Sequence, residues 1–298
     1  MNHLLLQRLA RPLVVALVVF LFAAVAAASL IWHLNHVYLG AERARAVAVA
    51  DSHADALKRS IDRAMSATYA LAILVRQGKG AIRDFDAIAN SMLPLYPGAS
   101  SLQLAPRGVV QSIVPLAGNE QAIGHDLLKD TTRTKAAVLA RDSRELTLDG
   151  PFKLLQGGLG VIGRLPVFLE DVKGDQIFWG FTSVLIRFPE ILGTADFHNL
   201  AQAGFAYELW RSHPDTGQKL IIATSSSPAL IEPVGYTLDL PNATWTLSVA
   251  PIKGWNDPLR LSTEAMLGLL FSLLLGYVAK LLIEPKDYEK GLEALVKE

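Results

Sequence analysis

DGPFKLLQGGLGVIGRLPVF, Asp149 to Phe168, is the stretch of sequence on which the fold turns. Its second half, Val161 to Phe168, is an apolar run of strand character interrupted by a single charge, Arg164. Ahead of it, Gln156, Gly157, Gly158 and Gly160 form a glycine-rich connection, where small residues permit tight turns and close backbone approach. The connection joins strand-like segments and opens no helix, so it does not read as a phosphate loop. Phe152, Leu154 and Leu155 are apolar enough for the walls of a ligand pocket or for ordinary core. A buried Arg164 must find a partner. The candidates are Asp149 or Glu145 in an ion pair, exposure on an outer face, or a ligand carboxylate gripped bidentately.

Outward from this stretch the pattern is strand-rich. Ser100–Ala105 and Val109–Pro115 form an expected hairpin about the turn Pro106-Arg107-Gly108, and Thr131–Arg141 is helical. Arg144–Thr147, Val161–Leu169 and Gln176–Ile186 read as further strands, the last two joined by a turn at Glu170–Asp175. Phe188–Gly193 and Asp196–Gly204 read as a short helical connection. A second strand set follows at Phe205–Trp210, Lys219–Ala223, Tyr236–Leu240 and Thr244–Ala250. Asn242-Ala243-Thr244 matches a glycosylation sequon but is read only as a hairpin turn.

Helix precedes the strands. From Val47 a 3,4 spacing runs through Ala50, Ala54, Leu57, Ile61, Ala64, Thr68, Leu71 and Val75, with Gly78 and Gly80 ending it. The seam suits either an amphipathic helix packed on its own domain or a stalk paired with a second copy. Ile82–Leu93 is a shorter helix, closed by Tyr96-Pro97-Gly98.

Two apolar segments bracket the chain. Leu13–Ile31 carries no charge, and at about 1.5 Å per residue it nearly spans a hydrocarbon core of about 30 Å. Arg8 and Arg11 before it hold the N-terminus in the cytoplasm; a cleaved signal peptide is the competing reading. Ala265–Ile283 is the second span, with Lys280 near its end able to snorkel to the interface. The expected organisation is a tail 1–12, a span 13–31, a stalk helix 32–80, a first subdomain 81–187, a second subdomain 188–260, a span 261–283 and a cytoplasmic tail 284–298. The fold class is α+β.

Lys plus Arg balances Asp plus Glu at 28 each, so no global field points to nucleic acid. The absence of cysteine removes thiol nucleophiles, thiolate metal sites and disulfides. No nucleophile elbow, metal-spaced histidine pair or paired-carboxylate motif stands out, so neither an enzyme nor a metal or cofactor site is expected.

IGHDLL at Ile123–Leu128, FWGFTSVLI at Phe178–Ile186 and YPGASSLQLAP at Tyr96–Pro106, with the opening stretch, resemble the CHASE sensor domain. This is the extracytoplasmic domain of plant cytokinin receptors and of many bacterial sensor kinases and diguanylate cyclases. The resemblance implies a long stalk followed by two PAS-like subdomains, a ligand in the membrane-distal one, and a parallel dimer. It implies ligand contacts from Asp126 and from the backbone of Leu148. Asp126 equally suits a turn or helix cap. The family's threonine would fall near Gly157, where this chain has none, which points away from cytokinin to another small organic ligand. The expected function is the input region of a bacterial inner-membrane receptor, its sensor in the periplasm, with candidate ligand residues Asp126, Leu148, Phe152, Leu154, Gln156, Gly157 and Arg164. Its partners would be the ligand, the bilayer, a second copy and a cytoplasmic output domain such as a kinase or cyclase. The alternative is a periplasmic protein-interaction module without a small ligand.

Overall fold

The computed structural model describes the chain except residues 1, 130–133, 155–157, 214–215, 226–228 and 297–298; side chains of 1–10 and 284–298 are also outside the description. The candidate residues Gln156 and Gly157 therefore lie outside the described residues, as do the first three positions of the expected Thr131–Arg141 helix. The chain divides into two compact units, Met1–Ala44 with Lys253–Glu298, and Arg45–Ile252.

The Arg45–Ile252 unit carries two antiparallel sheets. The elements of the first are β1 (Ser101–Pro106), β2 (Ser112–Val114), β3 (Thr147–Lys153), β4 (Leu159–Glu170) and β5 (Gln176–Phe188), in the order β2-β1-β5-β4-β3. The expected hairpin is present, with Leu102 opposite Val114, but β2 is shorter than expected. Val109 instead bridges to Asp126, and Gly124 N–H donates to Val110 C=O, so that segment pairs with a later loop. The second sheet is formed by β6 (Phe205–Ser212), β7 (Lys219–Thr224), β8 (Val234–Leu240) and β9 (Ala243–Pro251), in the order β7-β6-β9-β8.

The long helix α1 spans Asn2–Gln77, and its second half belongs to this unit. Its seam residues from Ala50 on, Ala50, Ala54, Leu57, Ile61, Ala64, Thr68, Leu71 and Val75, are fully buried, whereas Val47, the first of the expected seam, is exposed. The seam is therefore consumed by the domain's own core, which decides between the two readings of its 3,4 spacing; pairing with a second copy would need another face. Small residues in the seam let helix and sheet approach closely. A Cβ at Gly163 would lie 2.9 Å from Met65 Cγ, so only glycine fits that crossing without a shift. Thr182 Oγ1 donates to the Thr68 carbonyl at 2.9 Å, and Trp179 Nε1 donates to the Gly80 carbonyl at 3.0 Å. These bonds pin β5 to α1 and to the turn beyond it.

On the sheet's other face lies α3 (Thr134–Ser143), whose Ala137 and Ala140 join Ala105, Val110, Leu127 and Phe181 in one buried cluster. The shorter helix α2 is Phe85–Met92. Two short helices, α4 (Glu190–Thr194) and α5 (His198–Gln202), connect the sheets. The second sheet buries Leu209, Trp245, Leu247 and Val249. Phe188 from β5 meets Trp245 from β9, ring centroids 5.9 Å apart.

In the other unit, the first part of α1 packs on α6 (Pro258–Val296). By length and apolarity both helices could cross a membrane. Gly268, Ser272 and Gly276 recur every fourth residue on α6, the small-xxx-small spacing that lets helices approach in lipid. Ser272 is fully buried, and a Cβ at Gly276 would lie 2.9 Å from the Ala16 carbonyl oxygen. Toward one end of the pair, Arg260 donates to Asn35 Oδ1 at 2.9 Å and lies over the Tyr38 ring at 3.8 Å.

Candidate functional site

Side-chain direction on the first sheet follows from two contacts. Gly163 faces Met65 of α1 and Thr182 bonds Thr68 of α1. Because successive strand residues alternate faces, Ile162, Arg164, Phe181, Ser183 and Leu185 point to the opposite face. Cross-strand partners share a face, so the register carries the assignment to the neighbouring strands. Gln103 is opposite Ser183, Ser183 opposite Arg164, and Arg164 opposite Thr147.

The result is a row of four polar side chains, Gln103, Ser183, Arg164 and Thr147, laid across β1, β5, β4 and β3. All four are buried; Arg164 is fully so. The next row is Ser101, Leu185, Ile162 and Asp149, and Ser101 too is fully buried. Among the described residues, the hydroxyls of Ser101, Ser183 and Thr147 have no hydrogen-bond partner. Buried polar groups are ordinarily satisfied, and an unmet one costs about 1–3 kcal/mol, so three on one face mark it as more than core.

The face is bounded at both ends. At one end α3 covers Ala105 and Phe181. At the other, Arg187 Nη2 donates to Asn119 Oδ1 at 3.2 Å, and Asn119 Nδ2 donates to the Pro115 carbonyl at 2.9 Å, holding that loop against the strand. Between them Arg164 Nη1 donates to Asp149 Oδ2 at 3.0 Å, one of the partners read from the sequence. Asp149 also faces Arg211 of β6: burial pulls that guanidinium below its ordinary pKa and the Asp149 charge opposes the shift.

Phe152 is opposite Gly160, on the same face as the polar rows, and a Cβ at Gly160 would touch Leu154 and Leu185. These residues thus form an apolar wall beside the polar rows. Leu148 is buried, and both its backbone groups are engaged. Its N–H donates to Asn242 Oδ1 at 2.7 Å and its carbonyl accepts from Asn242 Nδ2 at 3.2 Å. Asp126 caps a turn. Its Oδ1 accepts from Leu128 N–H at 3.0 Å and Oδ2 is 3.2 Å from Lys129 Nζ. Desolvation raises its pKa, but those hydrogen bonds outweigh it, and the carboxyl ends below the usual aspartate value.

The structure therefore brings Arg164, Phe152 and Leu154 onto one face, with Leu148 in the adjoining edge strand. Ser101, Gln103, Thr147 and Ser183 were missed. Their signal was a polar residue at alternate positions of buried strands, but only the register shows that they meet.

The family model of the CHASE domain matches residues 55–221. No curated protein matches the chain in sequence. An extracellular ligand binding receptor from Desulfohalobium retbaense DSM5692 is similar in structure at 15% identity and a TM-score of 0.54, over 69% of this chain and 40% of its own. This chain thus spans less than half of that receptor, and the likeness is one of fold. The Vibrio cholerae LuxQ periplasmic domain is similar at 10% identity and a TM-score of 0.41, over 69% of this chain and 98% of its own. The sensory domain of the Campylobacter jejuni chemoreceptor Tlp3 is similar at 12% identity and a TM-score of 0.48, over 75% and 98%.

Proposed function

The chain belongs to the CHASE domain family, a family of extracellular sensor modules, and from that premise we propose that it is the input region of a two-span receptor in a bacterial inner membrane. Residues 13–31 and 261–283 are the spans, and Arg45–Ile252 is the periplasmic sensor, built as two PAS-like subdomains. A small organic ligand binds the membrane-distal subdomain on the sheet face opposite α1. The receptor works as a homodimer and passes the signal to a cytoplasmic output domain such as a histidine kinase or diguanylate cyclase.

One observation carries the ligand reading: the buried polar row Gln103–Ser183–Arg164–Thr147 with its unmet hydroxyls. A core selected only for stability would fill these positions with apolar side chains. Phe152 and Leu154 supply the apolar wall, and Gln156 and Gly157 stay ligand candidates on the sequence alone. Leu148 contributes the edge strand that carries Thr147 and Asp149. Asp126 contributes by shaping the turn before α3.

Signalling then requires the ligand to favour one of two conformations of the sensor unit. The test uses the full chain in lipid nanodiscs, melted against a panel of purines, organic acids, amines and sugars. At least one compound raises the melting temperature with concentration. A flat response across the panel sinks the ligand reading. Placement is tested by a cysteine at the fully exposed Val172, which a membrane-impermeant maleimide labels in intact spheroplasts. Protection there refutes the topology.

A further inference from the structure

The row geometry carries the ligand's chemical class, and this step rests on the sensor reading above. Across the two polar rows and the next one, the face presents the hydroxyls of Ser101, Ser183 and Thr147 and the guanidinium groups of Arg164 and Arg187. Among the described residues, the carboxylate seen against these donors is Asp149, which accepts from Arg164 at 3.0 Å and lies close enough to Arg211 to offset part of its burial. Guanidinium groups only donate, and a hydroxyl beside them donates readily to a strong acceptor. The complementary group is an acceptor with several lone pairs and negative charge, which is a carboxylate. Next to the donors lie Phe152, Leu154 and Leu185, gathered around Gly160.

We propose that the face of the distal sheet recognises a small amphipathic monocarboxylic acid. The carboxylate lies over the Ser183–Arg164–Thr147 row and the hydrocarbon or aryl part against Phe152, Leu154 and Leu185. Arg164 supplies the attraction and is held in orientation by Asp149, while the unmet hydroxyls of Ser183, Thr147 and Ser101 complete the hydrogen bonds. The hydroxyls are the part of the site that free folding does not need, since among the described residues nothing bonds them.

The probes are hexanoate and phenylacetate, each matched with its neutral amide, and adenine, all titrated against the full chain in nanodiscs by calorimetry and melting. The acids bind and raise the melting temperature, and the matched amides bind at least 10-fold more weakly. Ser183→Ala with Thr147→Val weakens acid binding at least 10-fold without lowering the ligand-free melting temperature, because each change deletes an unpartnered buried hydroxyl. Amides or adenine binding as well as the acids overturns the carboxylate class and leaves the sensor reading standing. Acid binding unchanged in the double variant overturns the site. Failure of both acids overturns the inference, and a hit elsewhere in the wider panel then leaves the sensor reading standing. Should the double variant not fold, Ser101→Ala gives the same readout, and the acid-to-amide ratio needs no variant.

Discussion

The Asn242 side chain holds both backbone groups of Leu148, accepting from its N–H at 2.7 Å and donating to its carbonyl at 3.2 Å. Asn242 sits at the β8–β9 turn with φ of 52°, a left-handed conformation that asparagine tolerates better than most residues. Leu148 lies on edge strand β3, whose outer backbone groups would otherwise lack a sheet partner. One side-chain amide thus replaces a stretch of strand and fastens the second sheet to the first.

Asn242→Gly keeps the turn and deletes the grip. Two hydrogen bonds at about 0.5–1.5 kcal/mol each put the loss at about 1–3 kcal/mol. Hydrogen exchange locates it: the Leu148 amide exchanges faster while the Thr182 amide of β5 is unchanged. Equal acceleration at both positions would mean the bond is not local in its effect.

Asp149→Ala removes a partner from the fully buried Arg164. Breaking a buried pair from one side costs about 3–5 kcal/mol, whereas replacing both members with apolar residues is often neutral. Thermal melts should show a large loss for Asp149→Ala and recovery of most of it in Asp149→Leu with Arg164→Met. No recovery in the double variant would place the cost elsewhere than in the uncompensated charge.

Gly163→Ala drives a methyl to 2.9 Å from Met65 Cγ and 3.0 Å from Val184 Cγ1. Overpacking of this kind costs about 1–3 kcal/mol. Trimming the neighbour by Met65→Ala in the same chain makes the Gly163→Ala change less damaging than it is alone, and a double-mutant cycle reads the difference.

The chain holds no cysteine, so an engineered pair reports cleanly on the helix contact in the other unit. A Cβ at Gly268 would be 3.2 Å from Ala27 Cβ, near disulfide reach. Ala27→Cys with Gly268→Cys cross-links on mild oxidation in lipid. Adding Gly276→Leu, which pushes against the Ala16 carbonyl, suppresses the cross-link; persistence at full yield would show that the small-residue stripe does not set the spacing.

The Asp126 turn has a defined acid dependence. Desolvation raises its carboxyl pKa, but the Leu128 and Lys129 hydrogen bonds lower it further, leaving it depressed. A depressed carboxyl stabilises the fold above the unfolded value, about pH 3.9, and loses that contribution as pH falls through the folded value. Asp126→Asn therefore flattens the acid limb of the melting-temperature profile below about pH 4 and leaves the neutral region parallel to wild type. An unchanged acid limb would remove Asp126 from the turn's energetics.

Much of the fold was legible because periodicity is local. The strands from Val161 and Gln176, the second strand set and the 3,4 seam were all found near their observed positions. The seam's partner was not legible, since Leu57, Ile61 and Leu71 would present the same spacing to a sheet or to a second helix. Arg164 was recognisable as a charge inside an apolar run, and Asp149 as a possible partner. The row around Arg164 was not, because Gln103, Thr147 and Ser183 lie far apart in the chain and meet only through strand register. Asn242 was read as a turn residue, which it is; its reach to Leu148 spans 94 positions and leaves no local mark.

The burial of α1 from Ala50 to Val75, with Thr182 riveted to the Thr68 carbonyl, sets what kind of mechanical output is available. A helix fastened this way cannot slide one turn, about 5.4 Å, past its sheet without unmaking the core. A piston stroke of the helix against its own domain is thereby ruled out of the repertoire. On the receptor reading proposed above, the sheet and the Ala50–Val75 stretch of α1 answer a ligand as one body.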